Sequence, residues 1–179
     1  MVGNFIADHV KGKQIDSFSE EVIKGIKMHR AIDYFTDHHP IVQKSKERLY
    51  PKYHKYSAVI VDMFYDHILA KNWTKYSPIA LEKFTASVYQ ILNAQKENFP
   101  THSKQFLHYM SRYDWLRSYG TKEGITKALT GLSRRAKFDS KMDESAIDLQ
   151  TDFLLYEKEF TAFFPELYEH CQEWVQVDD

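Results

Sequence analysis

Two segments of this 179-residue chain place acid and histidine where helical spacing calls for core residues. In the first, an apolar stripe at Val22 and Ile26 is continued at helical spacing by His29 and Asp33. The second, Val59 to Ala70, is apolar almost all round, yet carries Asp62 and Asp66 four residues apart, with His67 beside them. A helix apolar on every side is normally buried, and a buried carboxylate is costly unless paired or bound to a metal. Residues at i and i+4 on a helix reach one point in space. Imidazole with carboxylate suits Mn²⁺, Fe²⁺, Zn²⁺ or Mg²⁺. The pattern therefore predicts an internal metal site shared by two helices, with His29, Asp33, Asp62 and Asp66 as ligands. Asp8, close to the chain start, is a further candidate. His67 is a ligand or an acid for a leaving oxygen.

Cationic residues around these segments suggest the substrate. Arg30 adjoins His29, and Arg134 and Arg135 close a later helical stretch. Guanidinium is a good planar partner for phosphate, although cations at a helix C-terminus also complement its dipole. The stretch from Lys44 to Lys55 includes Lys46, Arg48 and Lys52. It reads either as a solvated helix or as a steering surface for an anionic partner. The whole chain has a formal charge of −1, but residues 139–179 hold twelve acids and two lysines, leaving about +9 on the rest.

The elements that must carry these residues read as helices. Glycine and proline are scarce, at 6 and 5, and no segment sustains period-two alternation. The predicted class is all-α, one domain over residues 1–179. Ser17 to Glu20 reads as a capping box opening a helix to about Thr36. Pro40 starts the next helix, to about Tyr50, and Pro51 to Tyr56 reads as loop. Ser57 caps the buried helix ending near Asn72. Ser77-Pro78 opens another, which Pro100 breaks. Phe106, Met110 and Trp115 fall in a shorter helix or helix pair. Thr121 caps a segment with Ile125, Leu129 and Leu132. The last long helix starts at Asp143-Glu144 and carries Ile147, Leu154 and Phe160, with Pro165 kinking or restarting it.

Other functions are disfavoured. A single cysteine, Cys171, precludes an intrachain disulfide framework and fits a reducing, cytoplasmic setting. The start has no secretion-signal pattern, and no run of about 18 apolar residues is present to span a membrane. Phosphate loops, dinucleotide glycine motifs, zinc-finger spacing and aromatic RNA motifs are missing, so no nucleic-acid partner is expected. No Glu-x-x-His occurs, which removes a ferritin-like di-iron site.

Gly3-Asn4-Phe5-Ile6-Ala7-Asp8, then Gly25 to Pro40 with its Met28-His29-Arg30-Ala31-Ile32-Asp33-Tyr34-Phe35-Thr36-Asp37-His38-His39 run, then Ser45-Lys46, and Asp62 to Ala70 followed by Trp73 stand in one order. Together they resemble the acyl carrier protein phosphodiesterase family, an atypical branch of the HD-type phosphohydrolases. The resemblance implies an all-helical bundle of HD type and a divalent ion, Mn²⁺ or Mg²⁺. It implies holo acyl carrier protein as substrate, cleaved to apo carrier protein and 4′-phosphopantetheine. On that reading Asp8, His29, Asp33, Asp62 and Asp66 hold metal, and His67 and Arg30 are catalytic. Lys46, Arg48, Arg134 and Arg135 bind substrate. Members usually carry an Asn-Phe-Leu-Ala-His-like helix ahead of the Gly-Asn segment, whereas this sequence opens at Gly3. The expected consequences are weaker metal binding and an open apolar groove near Phe5 and Ile6 that favours a homo-oligomer. Two alternatives stay open: hydrolysis of a nucleotide or other small phosphodiester, and a non-catalytic module that grips the carrier protein.

Overall fold

A computed structural model describes residues 1–177, and among them there is no strand. Ten α-helices are joined by short turns. They are α1 (Val2–Ile6), α2 (Glu20–His38), α3 (Pro40–Tyr53), α4 (Ser57–Lys71), α5 (Leu81–Gln95), α6 (Thr101–Arg112), α7 (Trp115–Ser118), α8 (Lys122–Arg135), α9 (Ser145–Thr151) and α10 (Phe153–Val177). The all-α class expected from sequence is what the chain adopts.

Apolar side chains gather in two clusters. The larger one joins α3, α4, α8, α9 and α10 around Phe64, Ile68, Leu129, Tyr156 and Phe160. The smaller joins α1, α5 and α6 to Ile26 of α2 through Ile6, Leu92 and Leu107. Each such fully buried side chain contributes about 1.5–3 kcal/mol. α2 is the common strut: Ile26 anchors it in the smaller cluster, and Phe35 packs against the larger. Residues between those two anchors therefore lie at the seam.

α2 is held at both ends by sequence. Glu20 and Glu21 put negative charge in its first turn. At its exit Pro40 occupies the first turn of α3, where no N–H is needed. His39 then caps α3, accepting from the Ile41 N–H at 3.3 Å through Nδ1. That fixes its proton on Nε2, which donates to Glu166 at 3.2 Å.

Several boundaries differ from the sequence expectation. Ser17 does not cap α2; its hydroxyl donates to the Gln14 carbonyl. α3 runs through Pro51 to Tyr53, forgoing the one backbone hydrogen bond that proline cannot donate. The chain turns only at His54, whose φ is +49°. Ser77-Pro78 lies in a turn, and α5 begins at Leu81. The last long helix is broken at Asp152 into α9 and α10, with Ile147 and Leu154 exposed instead of in the core. Pro165 sits inside a continuous α10. Thr121 does cap α8, accepting from the Gly124 N–H at 3.0 Å. The groove expected near Phe5 and Ile6 is not there: Ile6 is fully buried, and the Phe5 ring lies against Phe99 and Phe106.

The uneven charge is resolved by folding the two halves together. α10 packs across α2, α3 and α4. Glu159 takes a bidentate hold on Arg48, with Nη2 to Oε1 at 2.6 Å and Nη1 to Oε2 at 3.0 Å. Lys52 meets Glu144 and Asp148, and Lys75 meets Glu157. No helix is long and apolar enough to cross a membrane among the described residues.

Candidate metal centre and acidic cleft

The site begins with a backbone crossing. Gly3 of α1 lies so close to α2 that a Cβ on it would stand 2.0 Å from the Val22 carbonyl oxygen and 2.9 Å from the Gly25 Cα. No L side chain fits such a gap. The close approach carries the turn after α1, residues Ala7–His9, onto α2. Arg30 fixes that turn, donating from Nη2 to the Val10 carbonyl at 3.1 Å. That bond gives Arg30 a positioning role, alongside the one at phosphoryl charge expected from its place beside His29.

At the seam, Asp8, His29 and Asp33 offer ligand atoms that all lie within 4.8 Å of one another. His29 Nε2 is 3.3 Å from Asp8 Oδ1 and 3.2 Å from Asp33 Oδ2. One ring nitrogen has one proton or one lone pair, so it cannot fully satisfy both carboxylates. The three atoms surround a common point instead. His29 is mostly covered, while Asp8 and Asp33 open to solvent. Two carboxylates and one imidazole are a hard, doubly negative donor set that suits Mn²⁺ or Mg²⁺ and leaves positions for water and substrate. The residues present therefore fit a divalent ion.

From this trio an acidic cleft runs along α2 and α4. Burial pushes the Asp33 carboxyl up, His29 opposes the shift, and Asp8 and Asp37 add to it. Asp37 is held by Lys46, Nζ to Oδ1 at 2.8 Å. Asp62 lies within electrostatic reach of Lys46, Asp37 and Asp33, and desolvation lifts it to about 6. Asp66 reaches about 7, chiefly from desolvation, with the Asp62 charge adding. Both side chains nonetheless have open access to solvent. The carboxylates therefore line an open acidic stretch beside α2 and α4 and are not part of the core. Tyr119 and Arg135 face the same stretch: burial lifts the Tyr119 hydroxyl to about 12, the Asp66 charge adds, and Arg135 opposes.

Several sequence expectations change accordingly. Asp62 and Asp66 are not buried, and they lie outside the compact trio; they extend it along the cleft. Asp8 is a full member of the trio, not a peripheral one. His67 points away from the cleft: Nδ1 bonds the Tyr119 carbonyl at 2.6 Å, and the ring packs edge-on to Phe153. These two contacts turn His67 toward Tyr119 and Phe153, while Asp66 stands on the side shared with Asp62. Lys46 is only 14% exposed and engaged with Asp37, while Arg48 is engaged with Glu159, so neither forms part of an open docking surface. Arg134 is exposed at the end of α8. Sequence reading missed Asp37 and Tyr119. Asp37 continues the i, i+4 series of His29 and Asp33, which was a usable signal. Tyr119 had none.

The sequence model of a family described as acyl carrier protein phosphodiesterase matches residues 1–167. The chain is similar to proteins of that name from Enterobacter sp. (strain 638), at 30% identity over 92% of this chain and 86% of the relative. It is also similar to those from Escherichia coli O45:K1 (31%; 94% and 88%) and Photorhabdus laumondii (27%; 96% and 87%). No solved structure matches. An all-helical fold with an acid-and-histidine cleft is thus joined to a family of hydrolases. The chain belongs to the acyl carrier protein phosphodiesterase family.

Proposed function

We propose that this chain hydrolyses the phosphodiester linking 4′-phosphopantetheine to the serine of holo acyl carrier protein. The observation that carries the reading is the convergence of Asp8, His29 and Asp33 on one point at the head of an acidic cleft, in a chain of this family. These three residues would hold the divalent ion, Mn²⁺ or Mg²⁺. When bound, such an ion supplies polarisation of the phosphoryl oxygens and a more acidic water.

The chain's own groups supply the rest. Water adds to phosphorus, the bond to the serine oxygen breaks, and that oxygen takes a proton. Asp66, with its pKa near neutrality, suits the proton donor, a role typically worth about 10²–10⁴ in rate. Arg135, within electrostatic reach of Tyr119, would meet phosphoryl charge. Asp62 steadies the cleft beside Asp33, and Lys46 keeps Asp37 from crowding it.

The test is mass spectrometry of holo carrier protein incubated with the chain and Mn²⁺. Conversion to apo protein, lost in Asp33→Asn, is expected. Turnover of nucleotides with an untouched carrier protein would favour a small-phosphodiester hydrolase. Carrier binding without conversion at saturating Mn²⁺ would favour a binding module.

A further inference from the structure

On the far side of Tyr119 from the cleft lies a second concavity, of about 290 Å³, between α4, α8 and α9. Its floor is apolar: Ile125 and Leu149 are 2% exposed, and Phe153 completes the wall. Its polar edge is cationic. Lys71 and Lys122 both line it, and neither forms an ion pair among the described residues. Lys71 Nζ instead rests 3.9 Å from the centre of the Phe153 ring. Elsewhere the basic residues Lys46, Arg48, Lys52 and Lys75 each find an acid. Other exposed lysines, such as Lys83 and Lys127, also form no ion pair among the described residues; what sets Lys71 and Lys122 apart is their place together at the edge of an apolar cavity, where an anion could meet both while its body lies on the floor. His67 completes the lining with a defined polarity. A carbonyl can only accept, so Nδ1 carries the proton, and Nε2 of the neutral ring keeps a lone pair.

We infer that this cavity is a binding site for an amphipathic anion: a small molecule with one carboxylate or phosphate head and a short apolar body. The head pairs with Lys71 and Lys122, and the body lies on Ile125, Leu149 and Phe153. At about 30 Å³ per water-sized group, the space holds about ten such groups, the lower end for a ligand pocket. A bare anion would leave the apolar floor wet, and a neutral chain would leave both lysines unneutralised. The site shares no residue with the metal trio, so it does not depend on the phosphodiesterase reading.

Isothermal titration of the full chain tests this with octanoate, octyl phosphate, octanol, acetate and inorganic phosphate. One of the two amphiphilic anions is expected to bind saturably at 1:1, at least tenfold tighter than octanol and than its own bare head group. Which head binds tighter tells carboxylate from phosphate. The exposed double variant Lys71→Met/Lys122→Met should weaken that binding at least tenfold while helix content by circular dichroism stays unchanged. Asp33→Asn should leave it intact. Absence of saturable binding at millimolar ligand, octanol binding as tightly as the anions, full affinity in the lysine double variant, or loss in Asp33→Asn would each overturn the assignment.

Discussion

Gly3 and Gly25 touch backbone to backbone: a Cβ on Gly25 would stand 3.0 Å from the Gly3 Cα. This contact puts Asp8 within reach of His29, so a metal centre in the seam depends on two residues that have no side chain. Gly3→Ala should cost at least about 1–3 kcal/mol, because the carbonyl it strikes belongs to a helix and cannot swing aside. Mn²⁺ affinity by titration calorimetry should fall with it, since Asp8 is displaced. Gly131→Ala is the control. Its Cβ would meet only the Arg135 guanidinium at 3.7 Å, and alanine should add about 0.5–1 kcal/mol to the helix. A melt in which both alanines act alike would show that the crossing is not tight.

Asp33 is the hub between trio and cleft, touching His29 directly and feeling Asp8 and Asp37. Asp33→Asn should abolish measurable Mn²⁺ binding and turnover while leaving the melting temperature in EDTA unchanged or higher. Removing one of several like charges relieves repulsion in the metal-free protein. A variant that unfolds in EDTA would make Asp33 a structural residue.

Arg48 should behave as a structural residue despite its place in a basic run. Glu159, 12% exposed, accepts from Arg48 and, at 2.5 Å, from the hydroxyl of Ser45. Burial works against its charge, but these donors outweigh it and hold the carboxyl below its usual range. Arg48→Met strands that charge and should cost about 2–3 kcal/mol by urea denaturation. The loss should be largely recovered in Arg48→Met/Glu159→Leu. If Arg48→Met left stability intact and slowed only the carrier protein reaction, the residue would belong to the docking surface after all.

How much of this was legible can be judged from individual residues. The i, i+4 spacing of His29 and Asp33 is local, and the structure keeps it. Helix existence followed from the scarcity of glycine and proline. What failed was direction on α4: a helix apolar nearly all round has no periodicity to say which side opens, so Asp62 and Asp66 were read as buried. The basic run failed for a different cause. Arg48 and Lys52 find their acids 111 and 96 residues away, and no local pattern encodes such a pairing.

The acidic cleft should give the metal-free chain an inverted pH dependence. Asp66 titrates near 7 in the folded state against an ordinary value of 3.8, and Asp62 near 6. Between about pH 4 and 7 the native state therefore holds protons that the unfolded chain has released. Stability falls as pH rises through that window, and the penalty is complete above it. In EDTA the chain should melt at a higher temperature at pH 5 than at pH 8. Asp66→Asn should raise the melting temperature at pH 8 and flatten the profile. Water reaches this carboxylate, so the gain should be of order 1 kcal/mol, well short of the full shift, or about 2–4 °C. Saturating Mn²⁺ should lift the chain further at pH 8 by mass action, because only the folded state assembles the trio. A profile that climbs steadily from pH 5 to pH 8 and is unchanged by Asp66→Asn would mean that this carboxyl ionises as an ordinary surface acid, and would remove it as the proton donor.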